Sequence, residues 1–233
     1  MDFCGTLVPR VLVIAPHPDD DTIGCGGTLA RLVGRGSRID VTYVTDGSRS
    51  HTSQLFSRER LRDLREDEAR TALARLGIDV EPQFMRAPDG SLGDLEDFER
   101  GWIVDALVQR IASTQADIVF APWFRDPHPD HIATASLVDS ALATAASRPH
   151  LLWYTVWLPV RGETDHIARH DEAVSLAISL NDSELERKRD AIMAHRSQTT
   201  NLIDDDPHGF RIDAQMLATW LGPAERFLSR RPV

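Results

Sequence analysis

Two short stretches of this chain carry the residues best suited to chemistry. Ala15 to Gly27 reads A-P-H-P-D-D-D-T-I-G-C-G-G and follows the apolar run Val11-Leu12-Val13-Ile14. It sets His17 beside Asp19, Asp20 and Asp21 where a buried strand should reach the surface. The second stretch, D-P-H-P-D-H, follows the run D-I-V-F-A and supplies Asp126, His128, Asp130 and His131. Adjacent carboxylates repel one another unless they are solvated, share protons or hold a cation. His17 and Asp20 are three residues apart, as are His128 and His131, close enough to face one centre on a turn. Imidazole with carboxylate suits zinc or another divalent first-row ion better than magnesium or calcium, which prefer oxygen shells. A catalytic zinc keeps three protein ligands and one open position. The two clusters hold more groups than that, which leaves some free for proton transfer.

Each piece also has an ordinary reading. A His-Pro-Asp is commonly a turn, the acidic run could cap a helix N-terminus, and a histidine pair could be surface. Two copies of the pattern at equivalent strand ends favour the metal site.

The elements must bring the two clusters together. Arg10 to Ala15, Ile39 to Thr45, Val80 to Met85 and Asp117 to Ala121 read as strands. Helices are predicted over Ile23–Val33, about Arg58–Leu76, Leu95–Ser113 and Asp130–Ala146. This alternation predicts an α/β chain: a Rossmann-like, mostly parallel sheet with helices on both faces. Ligands bind such sheets outside the carboxyl ends of the strands, so the metal site belongs at the C-terminal edge. One domain is expected over residues 1–233, with both motifs in a half running from about 10 to 146. Residues 150–233 should add a strand at Leu151–Trp157, a helix at about Ser183–His195 and a peripheral extension ending in a short helix after Pro223.

The formal charge of −10 argues against a nucleic-acid backbone or anionic membrane as partner. Cys4 and Cys25 make neither a disulfide framework nor a zinc-finger spacing. No apolar run approaches a membrane span or a signal-peptide core, so a soluble cytoplasmic protein is expected. Gly24, Gly26 and Gly27 could let a helix backbone approach a ligand, but G-x-G-x-x-G is absent and this is no dinucleotide fingerprint.

The paired motifs resemble the two signatures of the LmbE-like (PIG-L) de-N-acetylase family. Further matches are Thr45-Asp46-Gly47, Arg65-x-x-Glu68 before Leu76-Gly77, Pro88-Asp89-Gly90 and His195-x-Ser197-Gln198. They span roughly residues 10 to 200, and Asp21 departs from the glutamate usual at its position. The resemblance implies a zinc-dependent hydrolase that removes acetyl from an N-acetylglucosamine-type glycoside or glycolipid. It implies His17, Asp20 and His131 as ligands to one Zn2+, for which Fe2+ or Co2+ could substitute, and Asp19 as general base to a metal-activated water. His128, protonated and oriented by Asp130, is the expected second electrophile, and Asp19 or His128 protonates the leaving amine. Arg65 and Asp89 match substrate-contacting positions, although Arg65 could instead pair with Glu66 or Glu68 along its helix. His195 could support the site or complement a helix C-terminus. Trp123 is the best placed of three tryptophans, with Trp153 and Trp157, for a sugar-stacking wall. The loops Ser48–Ser57 and Arg161–His170 should shape the choice of small-molecule or lipid-linked amino-sugar substrate. Two rival readings are a metal-dependent glycosyltransferase using Asp19 to Asp21 and a non-catalytic metal-binding module.

Overall fold

The computed structural model describes residues 8–167 and 172–230, so Cys4 lies outside the described residues. The strands are β1 (Val11–Ala15), β2 (Ile39–Thr45), β3 (Gln83–Ala87), β4 (Ile118–Pro122), β5 (His150–Tyr154), β6 (Ala173–Ser179) and β7 (Ala224–Arg230). The longer helices are α1 (Asp20–Gly34), α2 (Arg58–Leu76), α3 (Asp97–Thr114) and α4 (Pro129–Thr144). After them come α5 (Leu158–Arg161), α6 (Asp182–Ala194), α7 (Arg196–Thr199) and α8 (Ala214–Trp220). The strands form one sheet in the order β3-β2-β1-β4-β5-β7-β6, parallel from β3 to β5 and antiparallel at β7 and β6. Every residue of β1, β2 and β4 is buried, as expected of parallel strands covered on both faces. One core gathers beneath α1, α2, α6 and α8, the other beneath α3 and α4.

This order has a consequence for the site. The chain leaves β1 towards β2 on one side and later returns to pair β4 on the other, with Val11 opposite both Ile39 and Ile118. The crevice at such a reversal lies between the carboxyl ends of β1 and β4. Both His-Pro-Asp motifs follow those two strands directly.

The C-terminal region differs from the sequence expectation. The residues after Pro223 form β7, a strand inserted between β5 and β6, and β6 itself was not anticipated. Ala, Glu, Arg and Leu in this stretch are good helix formers. Sheet pairing overrides that preference, burying Glu225 and Phe227 on one face while Leu228 packs on the other. Glu225 fixes this strand to the first helix: its carboxylate accepts the Gly27 and Thr28 N–H groups at 2.9 and 2.7 Å and Lys188 Nζ at 2.8 Å. Lys188, the only lysine in the chain, thus lies in a buried ion pair, where loss of one partner typically costs about 3–5 kcal/mol.

The glycines of α1 serve packing rather than ligand approach. A Cβ on Gly24 would lie 2.3 Å from the Tyr154 ring, and one on Gly27 would lie 2.4 Å from Leu180. Among the described residues, no helix is long and apolar enough to cross a membrane.

Candidate active site

The turn after β1 and the start of α4 converge as their spacing implied. Asp20 Oδ2 lies 3.0 Å from His17 Nδ1 and 3.2 Å from His131 Nε2. Two atoms each about 2.0–2.1 Å from a tetrahedral ion stand about 3.3 Å apart, so these contacts have the size of tetrahedral edges. His131 is fully buried, and neither ring nitrogen has an in-line hydrogen bond, although Nδ1 lies 2.8 Å from Asp126 Oδ2. An unsatisfied buried imidazole costs stability, and a cation at this point would remove that cost.

Two triads have ligand atoms that all lie within 4.8 Å of one another: His17 with His128 and His131, and His17 with Asp89 and Asp130; His17 and His131 are joined to Asp20 through its Oδ2. The carboxylates of the second triad are already engaged. Asp130 accepts the Gly90 and Leu92 N–H groups at 2.7 and 3.1 Å, and Asp89 accepts the Arg49 N–H at 2.7 Å. Both rest against His17 Nε2, at 3.1 Å for Asp130 and 3.2 Å for Asp89. Metal-bound histidines commonly donate the second ring N–H to a carboxylate. With Nε2 held in this way, His17 Nδ1 is left facing Asp20. Gly90 sits at φ 72°, which turns its N–H towards Asp130.

Burial weighs against charge throughout this cluster, and the partners decide each direction. For Asp20, burial is outweighed by the His131 and His17 rings, which hold its carboxyl well below the usual range. The same contacts overcome burial at His17, raising it well above its ordinary value, and at His131, raising it to about 9. Asp19 behaves differently: burial lifts it to about 6 against the opposing pull of Arg65. Although Asp19 stands at the N-cap position of α1, its carboxylate makes no capping bond. Its Oδ2 instead accepts Arg65 Nη2 at 3.0 Å. Asp21 is fully buried under the Tyr43 hydroxyl at 3.0 Å, and burial raises it to about 7. The three consecutive aspartates therefore have three different environments.

Several sequence expectations require correction. Arg65 pairs with neither Glu66 nor Glu68 along its helix. It is buried, donating to Asp19 and to the Gly47 carbonyl at 2.7 Å, so its guanidinium is committed to the acid beside the cleft. Glu68 is used elsewhere, accepting Ser197 N–H and Oγ–H at 2.7 and 2.6 Å to bind α2 to α7. Asp89 lines the cleft but is held against His17. The carboxylate of Asp130 reaches His17 and not His128, because the turn at Asp89–Leu92 captures it. His128 is not the protonated ring expected: burial, followed by the charges of His17 and His131, lowers it to about 4. Its Nδ1 accepts the Asp130 backbone N–H at 3.2 Å, capping α4 and leaving the ring proton on Nε2.

The cleft over these groups has a volume of about 400 Å³. Trp123 is not in its wall; it is fully buried beside Phe124 and Trp153. Trp157 lines the cleft instead, stacked on His128 at 6.2 Å and 18°. Arg49, Ser50 and Arg161 reach the cleft from the two loops expected to shape it, though residues 168–170 of the second lie outside the described residues.

Of two further contributors, Asp126 was given no role from sequence and His195 was left between two. Asp126 is fully buried, accepts the Trp157 and Leu158 N–H groups at 3.0 and 2.7 Å, and abuts His131 Nδ1. Its place in D-P-H-P-D-H was the available signal. His195 ends α6 fully buried, and neither ring nitrogen has a hydrogen-bond partner. Burial, reinforced by Arg65, depresses it to about 3. An unfolded histidine titrates near about 6.5, so between these values the unfolded chain binds a proton that the folded chain refuses. His195 therefore removes stability as pH falls below about 6.5, until the folded ring also protonates near 3. Urea unfolding of chelator-treated wild type and His195→Gln should show their stability difference changing by about 1.4 kcal/mol per pH unit below about 6.5. Parallel pH slopes would contradict this assignment.

Several known proteins are similar to this chain. The family model for GlcNAc-PI de-N-acetylase (PIG-L) matches residues 12–142. A 1D-myo-inositol 2-acetamido-2-deoxy-alpha-D-glucopyranoside deacetylase of Mycobacterium sp. (strain KMS) is 29% identical over 232 residues, covering 82% of this chain and 75% of its own. The Bacillus subtilis (strain 168) protein named "Probable N-acetyl-alpha-D-glucosaminyl L-malate deacetylase 2" is 28% identical, covering 91% of this chain and 93% of its own. In three dimensions, N,N'-diacetylchitobiose deacetylase from Pyrococcus horikoshii superposes with a TM-score of 0.68 at 25% identity, covering 95% of this chain and 84% of that one.

Proposed function

The chain belongs to the GlcNAc-PI de-N-acetylase family, and on that premise we propose that it is a zinc-dependent hydrolase removing acetyl from an N-acetylglucosamine-type glycoside. Relatives named as deacetylases of an inositol glycoside, a malate glycoside and diacetylchitobiose support the reaction and the sugar. One observation carries the chemical reading. His17 Nδ1 and His131 Nε2 both approach Asp20 Oδ2, while Asp19 is turned onto Arg65.

His17 Nδ1, Asp20 Oδ2 and His131 Nε2 would hold the ion, with Asp130, Asp89 and Asp126 fixing the two rings from behind. When bound, a divalent ion lowers the pKa of a water towards about 7 and polarises the amide carbonyl. Asp19 takes the water proton; its value of about 6 leaves it mostly ionised at neutral pH and close enough to return the proton to the amine. Arg65 keeps the opposite carboxylate oxygen occupied, which fixes the direction of the basic one. His128 offers Nε2–H to the acyl oxygen and stabilises the charge that develops there. Burial and the neighbouring rings favour the neutral form of His128, so we assign proton delivery to the leaving amine to Asp19.

The glycosyltransferase alternative would need Asp19 to Asp21 as an open acidic cluster, whereas Asp21 is sealed under Tyr43 and Asp19 is committed to Arg65. The test is incubation with N-acetylglucosaminyl inositol, N-acetylglucosaminyl malate and diacetylchitobiose. Acetate and free amine should appear in equal amounts from at least one of them. Failure to deacetylate any of the three would overturn the reading.

A further inference from the structure

The cleft has a charged mouth that the deacetylation chemistry does not use. Arg49 and Arg161 both line it, and among the described residues neither has a carboxylate partner. Arg49 extends over the Pro88-Asp89-Gly90 turn and spends one donor on Ser91 Oγ at 2.9 Å. Arg161 lies over Trp157, its guanidinium carbon 3.9 Å from the ring centroid. Trp157 in turn stacks on His128, so one aromatic ring separates this guanidinium from the group placed at the acyl oxygen. A guanidinium stacked on an aromatic face keeps its N–H edge available to a ligand.

The acids of the cleft do not neutralise these two cations. Asp19 is occupied by Arg65, Asp20 by His17 and His131, and Asp89 by the Arg49 backbone N–H and His17. Asp126, whose charge acts on Arg161, spends its oxygens on backbone N–H groups and His131. The whole chain carries −10 and repels anions at long range. At this cleft Arg49 and Arg161 nevertheless place two guanidiniums that no carboxylate among the described residues engages. Guanidinium groups match carboxylate and phosphate oxygens with two parallel hydrogen bonds.

Resting on the deacetylase reading above, we infer that Arg49 and Arg161 form an aglycone subsite for an anionic group, and that the natural substrate is an N-acetylglucosaminide bearing a carboxylate or phosphate beyond the glycosidic oxygen. A neutral polyol aglycone would leave both cations without a partner.

Three N-acetylglucosaminides test this, with carboxymethyl, phosphoethyl and carboxamidomethyl aglycones. Each is followed by acetate release and, separately, by calorimetric binding to the metal-loaded enzyme. At low ionic strength, at least one anionic glycoside should exceed the carboxamide in kcat/KM and in affinity by at least about tenfold. Whichever of the two leads identifies carboxylate or phosphate. The preference should shrink in added salt, fall towards parity in Arg161→Gln and Arg49→Gln, and survive in part in Arg161→Lys. Equal or poorer use of both anionic glycosides, with the carboxamide turned over, would overturn the subsite and leave the deacetylase reading intact. If none of the three is deacetylated, the deacetylase reading fails and calorimetry decides the subsite. Anion-selective binding lost in Arg161→Gln would uphold it, and unselective or absent binding would overturn it.

Discussion

Asp19→Asn should lower kcat by about 10²–10⁴-fold, the range removed with a general base, while metal content stays at the wild-type level. Asparagine has nearly the same shape and retains an oxygen to accept Arg65 Nη2, now 3.0 Å from the carboxylate. What it lacks is the ability to take a proton. Since burial already raises Asp19 to about 6 against the pull of Arg65, ionisation of this group should also shape the acid side of the rate profile, with activity lost as pH falls through that region. Steady-state kinetics with metal analysis on the same samples separates the outcomes. Loss of metal would mean that the roles of Asp19 and Asp20 are exchanged. Retained turnover would remove Asp19 from the chemistry.

Asp20→Ala should have the complementary effect, abolishing both bound metal and turnover. Asp20 Oδ2 is the atom that His17 Nδ1 and His131 Nε2 both approach, at 3.0 and 3.2 Å, so its removal leaves two imidazoles and no shared carboxylate. Asp126→Asn is the graded companion. It preserves a buried hydrogen-bonding group at His131 Nδ1 but removes the negative charge that makes the ring a better ligand, and such changes typically weaken metal binding by about 10–100-fold. Metal titration of the three proteins should rank wild type above Asp126→Asn and Asp126→Asn above Asp20→Ala. Full metal occupancy in Asp20→Ala would place the ion on another triad, either His17 with His128 and His131 or His17 with Asp89 and Asp130.

Much of this arrangement was legible in the residues because local patterns carried it. Continuous apolar runs marked β1 and β4, and the repeated motif after these two strands placed two half-sites at one sheet edge. The contacts that give each acid its environment were not legible. Arg65 reaches Asp19 across 46 residues, and Asp130 reaches His17 across 113. Helix spacing instead suggested Arg65 with Glu66 or Glu68, and the family resemblance suggested His128 with Asp130, pairings that the fold replaces with more distant ones. Position in the chain ranked Trp123 above Trp157, and packing reverses that order: the first is core and the second lines the cleft. The last strand was hidden for a different reason: its residues favour a helix, and the partners that hold it in the sheet, β5 and β6, lie far back in the chain.

In the proposed reading the acidic cluster divides into a ligand at Asp20, beside His131, a base at Asp19, held by Arg65, and a buried scaffold acid at Asp21 under Tyr43. The most direct test of this division is acetate release from N-acetylglucosamine glycosides by one preparation measured as purified, after exhaustive chelation and after reloading with stoichiometric zinc. The proposed site predicts activity that disappears with the metal and returns with it. Undiminished acetate release from the metal-free protein would contradict it.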